Sequence, residues 1–437
     1  MTHHHDPARS ALLTAPTPGD DSSNRTSEDV GSPAGRHLEE SGASTAATPA
    51  RRPRLVGIDA ARGLALIGLM CIHILPIVDP ETFTAPVHWS VFAGRSAALF
   101  ALLAGVGLAF STGGRAPHTG RVLSADRVGL LVRAALIAAL GLGINELMPA
   151  STPAIGILVY YGVFFLLAIP FLGLSAPALL AAALAFAVAG PVLVHLTRDG
   201  LPAAAALSPT FTTFLEAPVA IGAQLLLTGS YPALPYLAYV LAGMALGRLD
   251  LRALRVQVTV LVAGIALAFA AWLVYWVLIL HAGGYEQLMI HTPWLSEAQI
   301  DEIIVWGPDP TVPTTTWWWL LVNGPHTDTP VWLLHTVGTG AAALGFFLLL
   351  ARVAERWLLP LVAIGSMTLT LYSAHLLALT LEVHRDQPLP WLLIHLAVAI
   401  AFAVAWRRFH AQGPLERLVA RIATVARRPL LPERRGS

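Results

Sequence analysis

Three ionisable residues stand within the first long apolar stretch of the chain, which is long enough to cross a bilayer as a helix. At about 100° per residue, Asp59, Arg62 and His73 would share a stripe about 60° wide, with Arg62 and His73 about 16 Å apart along the axis. Ionisable groups are costly in hydrocarbon, so they usually face a protein interior or a water-filled cavity. The stripe therefore predicts a polar site that extends from one side of a membrane toward the other.

Further polar residues in the next two apolar stretches divide this stripe into two levels. If successive spans alternate in direction, the inner level consists of Arg62, Arg127 and Arg133, and the outer level of His73, His88 and Arg95. Guanidinium groups bind phosphate through two parallel hydrogen bonds, which suits the inner level to a phosphorylated donor. An imidazole can remove a proton from a hydroxyl or an amine, which suits the outer level to an acceptor. The pattern predicts transfer of a group from an inside donor to an outside acceptor, with Asp59 and Arg95 as candidate substrate contacts.

Structural explanations compete with these roles. Asp59 and Arg62 are three residues apart, where an ion pair would make their burial tolerable. His73 could be an interfacial histidine at a helix end. Arg95 and Arg133 could extend their guanidinium groups to the nearest surface. An ion pair between Asp59 and Arg62 would not exclude a role in binding.

A later apolar segment, from Gly365 to His375, contains small and hydroxyl residues. Such residues favour close helix packing and hydrogen bonds between helices. Packing is therefore the first interpretation of this segment. The alternative is that Tyr372 or His375 faces a substrate.

Composition indicates an all-α, polytopic transmembrane helical bundle. The 437 residues are 55% hydrophobic and 12% charged, with a mean hydropathy of +0.65, whereas soluble proteins carry about twice that charged fraction. About ten (ten or eleven) spans are expected, near 55–78, 88–111, 128–147, 154–171, 176–196, 232–249, 256–281, 331–351, 361–383 and 389–408. The apolar piece at 217–228 is predicted to be re-entrant or interfacial. A net charge of +1 gives no indication of nucleic-acid binding, and no metal site is expected.

The distribution of arginine predicts the orientation of these spans. With the N-terminus inside, 19 arginines fall on cytoplasmic segments and only Arg198 and Arg385 fall outside. Both termini are therefore expected to be cytoplasmic. Composition divides the chain into three predicted regions: a disordered tail over 1–50, a transmembrane domain over 51–408, and a basic tail over 409–437 with an amphipathic helix on the inner leaflet.

The opening of the first span also resembles a known family. The segment Arg54-Leu-Val-Gly-Ile-Asp-Ala-Ala-Arg-Gly63 is similar to the start of the heparan-α-glucosaminide N-acetyltransferase-like family, and of a wider group of bacterial membrane acyltransferases. That group has an arginine, ten residues and a histidine in its first span, as Arg62 and His73 do here. The segments 94–107 and 365–375 resemble a related bacterial multi-pass family of largely unknown activity.

This resemblance implies a transmembrane acyltransferase fold in the bacterial plasma membrane. It also implies an acyl-CoA donor, acetyl-CoA above all, on the inside and a carbohydrate-like or cell-envelope acceptor on the outside, with no permanently bound cofactor. The family's catalytic histidine would correspond to His73 by spacing, or to His88, which precedes Trp89. Beyond the lipid bilayer and these substrates, a homodimer is compatible with the pattern.

A transporter or exporter of a small polar or lipid-linked molecule is the alternative function. Ten spans could form two inverted repeats of five, with the charged stripe lining the path. The Asp59, Arg62 and Gly63 pattern is not repeated in the second half of the chain. This favours the acyltransferase.

Overall fold

Helices provide all the regular secondary structure in residues 55–149, 151–309 and 311–431, which are the part of the chain that the computed structural model describes. The all-α prediction is confirmed. The predicted disordered tail over 1–50 lies outside the described residues.

Ten helices make up the first part of the described chain. They are α1 (Val56–Ile74), α2 (Val87–Phe92), α3 (Arg95–Ser111), α4 (Gly120–Leu147), α5 (Leu158–Ala168), α6 (Ala176–Thr197), α7 (Phe211–Glu216), α8 (Pro218–Ala223), α9 (Ala233–Gly247) and α10 (Leu254–Tyr275). Seven follow: α11 (Gly284–His291), α12 (Glu297–Trp306), α13 (Pro330–Ala354), α14 (Leu359–Gly365), α15 (Thr368–Leu379), α16 (Pro388–Arg407) and α17 (Pro414–Arg427).

Seven helices of the described chain are long and apolar enough to cross a membrane, and an eighth span results if the bent pair 218–228 and 233–247 counts as one. The two parts of that pair meet at 48°, as in a broken span or a re-entrant loop. The apolar helices over 158–171 and 368–379 are shorter. The count of ten spans therefore stays a prediction, as does the orientation. We call the end of the bundle with the arginine-rich loops the inner end, and the opposite end the outer end.

Helix α1 contacts α2, α3, α13, α14, α15 and α16. Its crossing with α14 depends on two glycines, since a Cβ at Gly63 would overlap the backbone of Leu361, and one at Gly365 the backbone of Asp59. Small residues at such crossings let helix backbones approach closely. This close packing agrees with the first interpretation of the segment that begins at Gly365, and it fixes the position of the polar stripe on α1.

The long connection between α10 and α13 folds into a cap at the outer end. Helices α11 and α12 and a 3-10 turn at 317–321 enclose a small apolar core of their own, which includes the fully buried Trp319. The Trp319 Nε1 donates a hydrogen bond of 3.1 Å to the Thr292 hydroxyl. Trp89 ties the cap to α2, since its Nε1 donates to the Val305 carbonyl at 3.0 Å.

The basic C-terminal helix α17 packs against α4. The Glu416 carboxylate accepts hydrogen bonds from the backbone N–H of Leu369 (2.7 Å) and from the Thr370 hydroxyl (2.6 Å), at the start of α15. At the other end of α17, Arg427 forms an ion pair with Asp126. The helix is thus docked on the bundle. Its apolar residues Leu418, Ile422 and Val425 are exposed, and their contact with the inner leaflet stays a prediction.

Candidate active site

Two cavities open from opposite ends of the bundle, and α1 contributes to both. His73 lines an outer cavity of about 660 Å³, beneath the cap. Arg62 lines an inner cavity of about 340 Å³. The arginine and the histidine that share the stripe are therefore presented to two separate cavities.

The inner cavity holds two of the three arginines predicted at this level. Arg62 donates to the Leu103 carbonyl at 3.2 Å and lies 3.4 Å from the Asp59 carboxylate. Arg133 lines the same cavity, with its guanidinium 5.6 Å from the centre of the Phe165 ring. A guanidinium has five N–H donors, so these contacts leave both groups able to bind an anion.

Asp59 is buried and its ion pair with Arg62 is present, as the structural explanation predicted. Arg127, the third predicted arginine, is exposed on α4 and is not among the residues that line the inner cavity. Glu416 and Val419 of α17 also line this cavity. The C-terminal helix therefore forms part of the wall of the inner cavity, although the sequence suggested only a membrane anchor.

At the floor of the outer cavity, His73 is paired with His375 of α15. The His73 Nδ1 and the His375 Nε2 are 3.0 Å apart, and the rings stack with centroids 5.3 Å apart and planes 6° apart. One nitrogen of such a pair donates and the other accepts. If His73 Nδ1 donates, the His73 Nε2 keeps its lone pair for proton abstraction or nucleophilic attack.

Tyr372 lies next to both the inner cavity and the histidine pair. It lines the inner cavity, and its ring centroid lies 6.5 Å from that of His73 and 6.4 Å from that of His375. One aromatic side chain therefore contacts the inner cavity and approaches the histidine that faces the outer cavity. Of the substrate contacts expected on α15, Tyr372 borders the inner cavity and His375 supports His73.

The structure does not bring His88 and Arg95 to this site. The His88 Nε2 lies 3.0 Å from the Pro76 carbonyl, and His88 is not among the residues that line the outer cavity. Arg95 donates to the Ser90 carbonyl at 2.8 Å and lies 5.0 Å from the ring of Trp332. His88 thus contacts the connection between α1 and α2, and Arg95 contacts both α2 and α13.

Several polar residues of the outer cavity were not predicted as site residues, among them Arg198, His326 and Asp328. His326 and Asp328 follow the cap, and the His326 ring lies 5.6 Å from that of Tyr231. Burial lowers the pKa of His326 and raises that of Asp328 to about 8. Two indications of these residues were present in the sequence. His326 lies in a long outer connection, and Arg198 is one of only two arginines that fall on outer segments in the predicted orientation.

Comparison with known families decides the classification. The sequence profile described as "Heparan-alpha-glucosaminide N-acetyltransferase, catalytic" matches residues 54–282, just over half of the chain. The chain belongs to this family. No curated protein sequence matches the chain.

The matched part of the chain runs from α1 to the end of the α10 region, so it contains Arg62, His73 and Arg133. Three other residues of the site lie beyond the matched part: His375, which pairs with His73, and also Tyr372 and Asp328. The site is therefore assembled from the family's catalytic region and from the part of the chain that follows it.

Proposed function

We propose that this protein is an integral-membrane acyltransferase. It takes an acyl group, acetyl in the simplest case, from acyl-CoA in the inner cavity and passes it to a hydroxyl or amine of a carbohydrate-like acceptor in the outer cavity. One observation carries the proposal: α1 presents Arg62 to one cavity and His73 to the other, and Tyr372 lies next to both the inner cavity and His73. Membership of a membrane acetyltransferase family supports it.

The inner cavity suits the donor because Arg62 and Arg133 offer guanidinium groups at a wall of otherwise mostly apolar residues. Guanidinium groups would bind the phosphates of CoA, and the apolar wall would accommodate its pantetheine arm. The thioester would then point toward Tyr372 and the histidine pair.

Transfer can proceed directly. His73 Nε2 removes the proton of the acceptor hydroxyl or amine as that atom attacks the thioester carbonyl. The carbon–sulfur bond then breaks, and CoA leaves as a thiolate that takes up a proton to become the thiol.

Transfer through an acyl-histidine is the alternative. His73 Nε2 attacks the thioester, a carbon–nitrogen bond forms, and CoA leaves with the proton that His73 releases. The acceptor then attacks the acyl-imidazole, which breaks the carbon–nitrogen bond, and the acceptor's proton returns to the imidazole. In both routes His375 is a positioning residue that holds the His73 ring and its tautomer.

Two variants of the purified protein test the proposal, with acetyl-CoA as donor and glucosamine as the acceptor probe. Arg62→Ala should weaken CoA binding, measured by calorimetry, while Arg62→Lys should rescue it only in part, since an ammonium cannot form the bidentate contact. His73→Ala should still bind CoA but lose about 10²–10⁴-fold in turnover, the usual contribution of a general base.

Matched controls are Arg121→Ala and His291→Ala, because both side chains are exposed outside the cavities. Both should behave like the wild type. Unchanged CoA affinity in Arg62→Ala would reduce Arg62 to a partner of Asp59. Normal turnover in His73→Ala would exclude the histidine mechanism, and movement of the intact acceptor across the membrane without acylation would favour the transporter instead.

A further inference from the structure

The segment that leads into α13 has an unusual backbone. His326 has a φ of +54° and Asp328 a φ of +51°. Residues with a Cβ rarely adopt left-handed angles, although Asp and His do so more readily than most, and such conformations are found in turns and often at ligand sites. The hydroxyl of Thr329, just beyond them, accepts a hydrogen bond of 3.0 Å from the Trp332 N–H and caps α13, which helps to fix the segment.

Both strained residues carry buried polar atoms without a hydrogen-bond partner among the described residues. These atoms are the Nδ1 of His326 and the Oδ1 of Asp328, and both residues line the outer cavity with His73. Buried polar atoms in folded proteins are bonded in the great majority of cases. A ligand in this cavity can supply the missing partners.

The available nitrogen of His326 determines what that ligand must offer. His326 bonds the backbone of Ser230, so in the neutral ring its Nδ1 is a hydrogen-bond acceptor and requires a donor from the ligand. Asp328 differs, because a protonated carboxyl both donates and accepts. Hydroxyl groups satisfy both residues, since each hydroxyl is a donor and an acceptor.

Several titratable and charged side chains surround Asp328, and they belong to different elements: Arg198, Tyr160, Tyr231, Tyr236 and Tyr239. Arg198 favours the carboxylate, but burial dominates and raises the pKa of Asp328 to about 8. At neutral pH the group is therefore mostly a neutral acid. Above that pKa it loses its donor and becomes a desolvated anion.

On the basis of the proposed function, we propose that His326 and Asp328 are specificity-determining residues that bind hydroxyl groups of the acceptor. The strained turn holds them on the wall of the same cavity that His73 lines. Because each residue has a buried polar atom without a partner among the described residues, the two would engage different hydroxyls of one ligand, as a sugar provides. The acceptor class is thus a polyhydroxylated molecule bound by at least two of its hydroxyls.

The test measures acceptor KM, turnover and CoA affinity as functions of pH, with glucosamine as the acceptor probe. Asp328→Ala should raise the acceptor KM about tenfold, as expected for a lost buried hydrogen bond, and leave CoA affinity unchanged. In the wild type, the acceptor KM should rise as pH increases through about 8. Asp328→Asn keeps a donor and an acceptor but cannot titrate, so the ratio of the wild-type to the Asp328→Asn acceptor KM, in which titration of the glucosamine amine cancels, should rise over that range.

Asp309→Asn is the matched control, since this aspartate is exposed near the cap, and it should retain the wild-type pH profile. Wild-type acceptor KM in Asp328→Ala, or the wild-type rise in KM above pH 8 in Asp328→Asn, would overturn the inference while leaving the proposed function intact. Absence of acyl transfer by the wild type itself would overturn both. Retained CoA affinity shows in each case that the variant is folded.

Discussion

The His73–His375 pair is the smallest unit that gives the site its chemistry. A lone histidine at a helix end could be a passive interfacial residue, but a nitrogen-to-nitrogen contact of 3.0 Å between two stacked rings fixes the orientation of His73. A base oriented by a second group is the arrangement expected for an activated imidazole. The other nitrogen of His73 is then available to the outer cavity.

Loss of His375 should therefore impair His73 without removing it. We expect His375→Ala to lower turnover by roughly tenfold or more while CoA affinity stays unchanged, because the general base contributes about 10²–10⁴-fold in total and would be misoriented. His375→Gln, which can still bond the His73 Nδ1, should recover part of the loss. Turnover, its pH profile and CoA binding are measured together.

A purely structural His375 would give a different result. His375→Ala would lose CoA binding and turnover in parallel. His375→Gln would leave the pH profile of turnover unchanged. Normal turnover in His375→Ala would remove His375 from the mechanism.

The sequence predicted part of this site, and the reason lies in its spacing. Arg62 and His73 stand on one helix, so a helical repeat alone places them on one face. The partner of His73 stands on α15, 302 positions away in the chain, and no local pattern reveals such a contact. Arg127 shared a depth with Arg62 but is exposed on α4, because depth along a span does not determine which face a side chain occupies.

At the scale of elements, α17 is the part that sequence patterns described least completely. Its amphipathic spacing predicted a helix on the membrane surface, and apolar residues of that face are exposed. Amphipathicity does not reveal polar contacts with distant residues, such as the ion pair of Arg427 with Asp126 or the hydrogen bonds that Glu416 accepts from the start of α15. These contacts make α17 a wall of the inner cavity.

Asp126→Asn tests whether the ion pair holds α17 in place. Asp126 is buried and contacts both Arg427 and His118, and breaking a buried pair leaves the remaining charge uncompensated. In a Cys71→Ser background, a cysteine at Ala423 on the bundle-facing side of α17 should react with maleimide faster in Asp126→Asn than with native Asp126. We expect several-fold faster labelling.

The exposed position Leu418, also changed to cysteine, serves as the control and should label at the same rate in both backgrounds. Equal labelling of the cysteine at Ala423 with and without Asp126 would show that α17 is held by its other contacts alone.

At the scale of the whole molecule, composition was enough to predict an all-helical membrane protein, because hydropathy depends on residue types and not on tertiary contacts. It could not predict the cap built from α11 and α12, whose core depends on packing between helices of eight and ten residues. Nor could it reveal that a cavity opens toward each end of the bundle. The central claim rests on those cavities: the donor enters from the inner side of the membrane and the acceptor from the outer side.

Transfer across a sealed bilayer tests this claim most directly. Proteoliposomes with glucosamine trapped inside receive radiolabelled acetyl-CoA outside, and the label in the trapped sugar is measured in wild type and in His73→Ala. The account predicts labelled sugar within wild-type vesicles, formed by those molecules whose inner end faces outward, and a loss of about 10²-fold or more in His73→Ala. Product formed only when donor and acceptor are placed on the same side of the membrane would contradict it.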